Sequence, residues 1–322
     1  MSFSLKVKNE LSRIIETDRF CMLSELAALI HMTGIIQLSG LNRISLKLVT
    51  ENPGIARKIF ILIKKLFGIQ VQVSIRKNRF LNKTNSYQIF VPYQLGAEKI
   101  LEEVYILKKS DDGFDIEYGI PKKLLKKICC KRAYIRGAFL GGGSLSDPEK
   151  NYHLEFVTQS IKQSEDLSRL INNSFKIRAR IISRKNNHVV YIKEGDAIVD
   201  LLNVMGAHNS LMELENIRIY KEMRNNVNRL VNCETANLNK TVETALRQIE
   251  KIEYIRDTMG LEKLPENLRE IAELRLLYKE SSLKELGEML DPPVSKSCVN
   301  YRLKKLEKIA ENLIEKNNKK PE

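Results

Sequence analysis

Two nine-residue segments of the chain are versions of one motif, and they divide its first two thirds into repeated halves. Residues 26–34 have the sequence LAALIHMTG, and residues 135–143, which lie 109 positions later, have IRGAFLGGG. After each motif the same order of patterns follows: an alternating strand, an amphipathic helix, two more alternating strands and a helix. Because two independent matches at one period indicate duplication, we predict two related halves at about 21–110 and 121–206.

The elements within each half favour an α+β fold with antiparallel sheets. Alternating strands are predicted at 42–50, 69–76, 86–92, 152–159, 175–183 and 188–193. Asn52-Pro53 begins a helix that ends near Gly68, as expected from the helix-start and helix-stop preferences of these residues. Strand pairs that are close along the chain and separated by single helices are typical of antiparallel or mixed sheets.

Small residues in the two motif helices predict that these helices pack closely together. Backbones can approach only where side chains are small, and such residues occur in both segments: Ala27, Ala28, Gly34, Gly137, Ala138 and Gly141. Gly141, Gly142 and Gly143 also end the second helix. Packing explains all of these residues without any chemistry.

Composition limits the classes of function. The chain has 322 residues, 43% of them apolar, so it can bury ordinary cores in two or three domains. The net charge is +14, and the excess of Lys and Arg is greatest in the first hundred residues. This excess favours a polyanionic partner, although a generally basic proteome would also produce it. No stretch has the apolar length of a membrane span or a signal region, so we expect a cytoplasmic protein with no membrane partner.

The cysteines and histidines give no metal or catalytic pattern in the sequence. The cysteines are odd in number and scattered, which is typical of reduced thiols: Cys21, Cys129, Cys130, Cys233 and Cys298. The adjacent pair Cys129-Cys130 lacks CxxC spacing, which argues against zinc. The four histidines are dispersed, and we expect structural or surface roles for them. We therefore predict no metal and no cofactor.

Polar side chains share one face of several predicted strands. This face carries basic and amide groups in both halves, namely Arg43, Lys47, Gln72 and Arg76 in the first and Lys176, Arg178 and Arg180 in the second. Such side chains suit contacts with phosphates and base edges. A solvated face of an antiparallel sheet would have the same composition, so both interpretations stay open.

The remaining segments are predicted to be helical. Residues 1–20 form an N-terminal helix, and 207–260 form a connector in which Ser210 and Glu213 match a capping box and the polar stretch 231–241 interrupts the helix. In 261–322, Leu268, Ile271, Leu274 and Leu277 recur on one helical stripe.

A helix-turn-helix follows that stripe. Ser282, with Glu285 three positions later in a capping box, begins a short helix over 283–290. The sequence D291-P-P-V stops this helix, and Ser295 begins a basic second helix. If that second helix enters the major groove, its first residues face base edges. The predicted DNA-binding residues are Ser295, Lys296, Ser297, Asn300 and Tyr301, with Arg302, Lys304 and Lys305 suited to phosphates. The alternative is a small three-helix bundle whose polar face is only solvated.

The paired motif helices resemble those of LAGLIDADG homing endonucleases. In that family an acidic residue near the end of each motif holds the catalytic metal. The corresponding positions here are Thr33 and Gly142, and neither a hydroxyl nor a bare backbone replaces the anionic oxygen ligands that hard cations need. The resemblance implies a DNA-binding fold whose former metal positions are degenerate.

The C-terminal helix-turn-helix is similar to the promoter-binding fourth region of sigma factors. Together with the duplicated unit, it gives a combination that resembles the WhiA family. The stretches that carry this resemblance are 136–148, 231–237 and 292–306. It implies a nucleoid-associated bacterial regulator that binds double-stranded DNA, linked to sporulation gene transcription, cell division and chromosome segregation. RNA polymerase and other transcription proteins are candidate partners. Tyr301 stands where many relatives are expected to have His, which affects base preference there.

Two other classes of function stay open from the sequence. An active LAGLIDADG-type endonuclease would need two acidic ligands, and Asp147, which lies beyond the second motif helix, is the nearby carboxylate in that half. Alternatively, the basic sheet face binds RNA or a protein. Affinity for duplex DNA falls steeply with salt, whereas a protein interface depends on it more weakly.

Overall fold

The predicted repeat of elements is present in the structure, a computed structural model that describes residues 1–39, 43–77, 85–110, 113–185 and 187–318. The first half comprises α1 (Phe3–Ser12), α2 (Arg19–Thr33), β1 (Gly34–Ser39), β2 (Arg43–Thr50), α3 (Pro53–Phe67), β3 (Gln72–Lys77), β4 (Asn85–Val91) and α4 (Ala97–Glu103), followed by the hairpin β5 (Leu107–Ser110) and β6 (Gly113–Ile116). The second half comprises α5 (Ile128–Gly142), β7 (Gly143–Leu145), β8 (Leu154–Thr158), α6 (Ile161–Phe175), β9 (Arg180–Arg184), β10 (Asn187–Ile192) and α7 (Gly195–Met205).

Four further helices complete the chain. They are α8 (His208–Met259), α9 (Glu266–Leu277), α10 (Leu283–Glu288) and α11 (Lys296–Asn318). The chain forms two compact units, Met1–Lys221 and Glu222–Glu322. The finer division into 1–20, 21–206, 207–260 and 261–322 stays a prediction.

Both halves contain a four-stranded antiparallel sheet with the same topology. The strand orders are β1-β2-β4-β3 and β7-β8-β10-β9, and every neighbouring pair is antiparallel. This equivalence confirms the predicted α+β class and antiparallel sheets. Buried side chains of both halves belong to one continuous hydrophobic core, because each sheet packs its apolar face against helices of the same unit.

The motif helices α2 and α5 pack closely because glycines line their contact. A Cβ on Gly137 would lie 2.5 Å from the carbonyl oxygen of Glu25 and 2.9 Å from the Cβ of Ala28. A Cβ on Gly141 would lie 2.5 Å from the Cβ of Met32. Real Cβ atoms do not approach this closely, so only glycine permits this helix crossing. The predicted role in helix packing is therefore confirmed for Ala28, Gly137 and Gly141.

A buried ion network joins α2 to its neighbours. One carboxylate oxygen of Glu25 lies 2.7 Å from Lys58 Nζ in α3 and 2.8 Å from Arg136 Nε in α5, and the side chains of Glu25 and Lys58 are fully buried. Lys58 Nζ also donates to the carbonyl oxygens of Leu11 and Ile14 at 3.0 and 2.5 Å. Burial lowers the pKa of Lys58, while the carboxylate of Glu25 opposes that shift. Arg136 also forms an ion pair with Glu16, so the network holds three helices and the end of α1 around the buried Glu25 carboxylate.

The strand predicted at 175–183 begins later than expected. Strand β9 starts at Arg180, and Lys176 is instead the left-handed residue that ends α6, with φ of 60°. The side-chain oxygen of Asn172 accepts from the N–H of Ala179 at 2.7 Å, and its amide group donates to the carbonyl oxygen of Ala179 at 3.2 Å. These bonds tie the chain before β9 to α6, so Lys176 and Arg178 lie outside the sheet and their placement on a strand was wrong.

The connector contains a single helix where the sequence predicted an interruption. Helix α8 runs from His208 to Met259 through the polar stretch 231–241, which has neither Pro nor Gly to break it. The predicted capping box is also wrong, because Ser210 lies inside α8 and its hydroxyl donates to Glu10 at 2.6 Å. The expected end at Gly260 is confirmed, since that residue has φ of 83° directly after the helix.

None of the helices in the described part of the chain is both long enough and apolar enough to cross a membrane.

The Glu25 network yields a stability prediction. Substitution of Glu25 with Gln leaves Lys58 and Arg136 buried without their shared counter-charge, so we expect a loss of about 3–5 kcal/mol in the free energy of unfolding. Urea unfolding of the full chain measures this. Glu213→Gln is the matched control, because its ion pair with Lys6 is largely exposed and should contribute little. Equal stability of the two variants would contradict the role of the network.

Candidate nucleic-acid interface

The last three helices form the predicted helix-turn-helix around a small core. In this core Leu286, Val299, Leu303 and Leu306 are buried, and Leu283 packs against them. Leu268 and Ile271 of α9 are buried in the same core, and Leu274 is partly buried there. Leu277 is 72% exposed, so the predicted apolar stripe of α9 ends one turn earlier than expected.

Local capping fixes where α10 and α11 begin. The predicted box at α10 is present, since the hydroxyl of Ser282 accepts from the N–H of Glu285 at 3.3 Å and the N–H of Ser282 donates to the Glu285 carboxylate at 2.7 Å. The hydroxyl of Ser295 accepts from the N–H of Cys298 at 3.3 Å, so Ser295 caps α11 as predicted. Each cap satisfies a donor that the helix leaves unpaired and fixes the direction of the helix start.

A glycine and a buried arginine set the position of the turn. A Cβ on Gly287 would lie 2.4 Å from the carbonyl oxygen of Val294, so the turn before α11 passes directly over α10. Arg275 of α9 is 2% exposed and donates to Ser281 O at 2.7 Å and to Gln248 Oε1 at 3.0 Å. The sequence interpretation missed both residues, because close backbone approach and a buried guanidinium leave no periodic signal.

One face of α11 presents polar and basic side chains away from the core. Helical spacing places on it Ser297, Asn300, Tyr301, Lys304 and Lys305, of which Asn300 is half-buried and the others are exposed. Lys305 Nζ lies 4.8 Å from the ring centre of Tyr301, which is 60% exposed, so an aromatic ring and a cation form one surface. Lys308 is exposed on the same face, four positions after Lys304, and the sequence interpretation overlooked it although helical spacing indicates it. We name these six residues the α11 face.

The other predicted helix-turn-helix residues lie beside the α11 face. Ser295 and Lys296 are exposed at the start of the helix. Arg302 is half-buried and its guanidinium donates to the carbonyl oxygen of Asn267 at 3.3 Å. Arg302 therefore holds α9 against α11, and the phosphate contact expected for it would compete with that bond.

The first sheet has the predicted polar face. The register pairs Lys47 with Phe90 and Phe90 with Gln72, so the two polar side chains flank an aromatic ring in one row across three strands. Arg43 and Arg76 lie an even number of positions away on the same strands, which places them on that face, and both are exposed. The structure thus places four of the predicted sheet residues on one face, with Arg43 and Arg76 towards opposite ends of the strands.

The second sheet has a different surface. Arg180 pairs with Tyr191, and Tyr191 pairs with Glu155, so an acidic side chain lies in the same row. The Glu155 carboxylate accepts from the hydroxyl of Ser144 at 3.2 Å and lies 3.5 Å from the guanidinium of Arg184. Because this carboxylate already neutralises nearby cations, the second sheet is less suited to phosphate than the first.

The two positions that correspond to metal ligands in the nucleases, Thr33 and Gly142, lie at the ends of α2 and α5 and pack against neighbouring groups. Thr33 is the last residue of α2, and its hydroxyl donates to the carbonyl oxygen of Leu29 at 2.7 Å. Gly142 is the last residue of α5, and a Cβ there would lie 2.7 Å from the carbonyl oxygen of Val157 and 3.0 Å from the sulfur of Met32. The site of one former carboxylate therefore has no space for a side chain. Asp147 lies in an exposed turn, where it accepts from the N–H of Glu149 at 3.1 Å.

Comparison with known proteins gives a consistent result along the chain. Three domain families match it: the WhiA N-terminal LAGLIDADG-like domain over residues 19–107, the WhiA LAGLIDADG-like domain over 131–224 and the WhiA C-terminal HTH domain over 227–310. The probable cell division protein WhiA of Alkaliphilus oremlandii is 60% identical, with 98% of each chain covered. Its counterpart in Thermoanaerobacter pseudethanolicus is 56% identical over 98% of this chain and 99% of that one.

A solved structure supports the same assignment of fold. Full-length DUF199/WhiA from Thermatoga maritima superimposes with a TM-score of 0.61 at 29% identity, covering 97% of this chain and 99% of that one. The LAGLIDADG-like folds and the helix-turn-helix therefore occur together in a protein of similar length.

The crowding at Gly142 yields the second prediction. Gly142→Ala places a methyl group against a main-chain carbonyl in β8, so we expect a loss of about 1–3 kcal/mol in the free energy of unfolding. Urea unfolding measures it. Gly195→Ala is the matched control, since the nearest atoms to its Cβ would be at 3.5 Å or more. An unchanged Gly142→Ala protein would show that a side chain fits at the former metal position.

Proposed function

The chain belongs to the WhiA family, and from that premise we propose that it is a DNA-binding regulator that does not cut DNA. The observation that carries this proposal is the α11 face, which presents amide, aromatic and basic side chains on a helix fixed at its first turn. A second helix of this motif docks in the major groove with its N-terminal residues at base edges. Asn can pair with adenine through two hydrogen bonds, and lysines neutralise phosphates.

The same proposal assigns distinct roles within the α11 face. Asn300 and Tyr301 contact bases, and Lys304, Lys305 and Lys308 contact phosphates. Ser297, which lies nearer the start of the helix, contributes a hydroxyl that either accepts from a base or donates to a phosphate. This division follows from position, because the earliest exposed residues of a recognition helix approach the base edges and later ones approach the backbone.

The first sheet supplies a second, sequence-independent contact in this proposal. Arg43, Lys47, Gln72 and Arg76 share an exposed face, which suits the duplex backbone. The second sheet contributes less, because Glu155 lies among its basic residues. Binding of duplex DNA through the helix-turn-helix with support from one sheet also explains the net charge of +14.

The cellular role that we propose is control of cell division. Relatives that align over nearly the whole chain carry the name probable cell division protein WhiA. We extend this to transcription of division and sporulation genes and to chromosome segregation, with the protein on the nucleoid and with RNA polymerase or other transcription proteins as partners. Support for this extension comes from the family and the helix-turn-helix.

Binding measurements on short duplexes test the roles within the α11 face. Lys304→Ala should weaken binding to target and random duplexes by similar factors and reduce the slope of log affinity against log salt by about 1. Asn300→Ala should instead reduce discrimination at one base pair by about 1–3 kcal/mol while leaving random duplex binding unchanged. Fluorescence anisotropy at several salt concentrations separates the two effects.

Lys316→Ala is the matched control for these variants. Lys316 is exposed on α11, but it lies 12 residues beyond Lys304, which is about 18 Å along the helix axis. Its substitution should leave both affinities and the salt slope unchanged. If Lys304→Ala behaves like Lys316→Ala, or if Asn300→Ala weakens target and random duplexes equally, the assignment of the α11 face is wrong.

The non-catalytic part of the proposal has its own test. Incubation of the purified full chain with supercoiled plasmid and Mg²⁺ or Mn²⁺ should leave the plasmid intact, because a catalytic cation needs anionic oxygens where this chain has Thr33 and Gly142. Gel electrophoresis detects a single nick per plasmid. Sustained nicking that Asp147→Ala abolishes would establish a relocated active site and contradict the proposal.

A further inference from the structure

Three cysteine thiols converge at one place in the first unit, on two helices that carry none of the proposed DNA-binding residues. Cys21 comes from α2, whereas Cys129 and Cys130 come from α5, and their sulfur atoms all lie within 4.8 Å of one another. The sulfurs of Cys21 and Cys130 are 3.6 Å apart. Cys21 and Cys130 are each 1% exposed, and Cys129 is half-buried. The duplex-binding proposal gives these residues no role.

The duplication of the chain brings these thiols together. Cys21 and Cys130 are separated by 109 residues, which is also the offset of the two nine-residue motifs. Each is the third residue of its helix, since α2 begins at Arg19 and α5 at Ile128. The close crossing of equivalent helices therefore places equivalent side chains face to face. Cys129 adds a third sulfur from the neighbouring position on α5.

The three cysteines lie in the first turns of the two helices. First-turn N–H groups are the positive end of a helix and stabilise negative charge on sulfur. A cation among the sulfurs would compensate the remaining charge of the thiolates that bind it.

We propose that Cys21, Cys129 and Cys130 bind one thiophilic cation, Zn²⁺ or Cu⁺, between α2 and α5. Thiolate sulfur selects these two ions over hard cations. Zinc–sulfur bonds of about 2.3 Å place three sulfurs around a cation about 4 Å apart. The sulfurs of Cys21 and Cys130, which are 3.6 Å apart, need to separate slightly, and every other pair already lies within 4.8 Å. Each thiol that becomes a ligand releases its proton to solvent. The half-buried side chain of Cys129 marks the route by which the cation enters.

This site is separate from the degenerate endonuclease positions. Cys21 lies in the first turn of α2 and Thr33 at its last residue, which corresponds to about 18 Å along the helix. The donor chemistry also differs, because nucleases hold hard cations through carboxylates and this cluster offers only sulfur. A cation here would fasten the N-terminal ends of the two motif helices to each other.

Spectroscopic titration of the reduced full chain under anaerobic conditions tests the proposal. Co²⁺ replaces Zn²⁺ as the probe, because cobalt–thiolate bonds give a charge-transfer absorption that Zn²⁺ then removes by displacement. We expect one Co²⁺ per chain. Separate competitions of Zn²⁺ and of Cu⁺ against chromophoric chelators identify the preferred ion. Tight binding of either cation at one equivalent supports the site.

Single serine substitutions identify the ligands. Cys21→Ser, Cys129→Ser and Cys130→Ser should each reduce the charge-transfer absorption and weaken cation affinity by at least about 100-fold. This loss exceeds the one expected for a residue that only orients a ligand, because each substitution removes a ligand itself. Cys233→Ser and Cys298→Ser are matched controls, because these cysteines lie elsewhere in the chain, and they should bind like the unaltered protein. Circular dichroism confirms that each variant is folded.

Cys129→Ser still tests the proposal if a substitution of Cys21 or Cys130 unfolds the protein, because Cys129 is only half-buried. A folded Cys129→Ser chain with unchanged affinity and absorption would overturn the three-sulfur site. Failure of the unaltered chain to bind Co²⁺, Zn²⁺ or Cu⁺ would overturn it as well. So would a Cys21–Cys130 disulfide, found by mass spectrometry of protein that was purified with reductant and then alkylated.

Discussion

The close crossing of α2 and α5 is the contact on which the first unit depends. Gly137 and Gly141 bring the two backbones so near that a single added carbon would meet main chain or Cβ atoms at 2.5 Å. At the same crossing the buried carboxylate of Glu25 holds Arg136 from α5 and Lys58 from α3. Strands β1 and β7 begin directly after the two helices, so the crossing also determines where each sheet starts.

At the ends of the same two helices, the positions that correspond to metal ligands in the nucleases they resemble hold no carboxylate. Thr33 uses its hydroxyl on its own helix, and Gly142 faces a carbonyl of β8 with no space for a side chain. Sequence-specific contact is therefore assigned to the last helices, where Gly287 and Arg275 hold the turn and Ser295 fixes the start of α11. In the proposed function the duplicated unit provides a basic surface and the helix-turn-helix provides recognition.

Periodic and local signals in the sequence were sufficient for most of the fold. The α+β class, the antiparallel sheets, the capping box at Ser282 and the cap at Ser295 are predicted correctly, because each depends on spacing within a few residues. The duplication is predicted correctly because these local patterns recur in the same order in both halves. The sequence predicted the wrong bounds for elements whose ends are determined by tertiary contacts or by the absence of a helix breaker. Asn172 holds Ala179 away from the sheet, and α8 continues through polar residues that contain no helix breaker.

The α11 face was predicted nearly completely, whereas the thiol cluster was not. Helical periodicity places Asn300, Tyr301 and Lys304 together, and the same periodicity indicates Lys308. Local spacing does not indicate the thiol cluster, because Cys21 lies far along the chain from the adjacent pair Cys129-Cys130. One signal would have found it: Cys21 and Cys130 are separated by the period of the duplication. The period, applied to side chains outside the motifs, predicts which residues meet at the crossing.

Genome-wide capture of bound DNA in cells tests the assignment of recognition to α11 most directly. Three full-length proteins are compared: the unaltered chain, a variant with Lys304 and Lys305 changed to Glu, and a variant with Arg43 and Arg76 changed to Glu. Recognition by α11 predicts that the first variant loses the bound sites and that the second retains the same sites at lower occupancy. Retention of the original sites by the α11 variant, with their loss in the sheet variant, would contradict it.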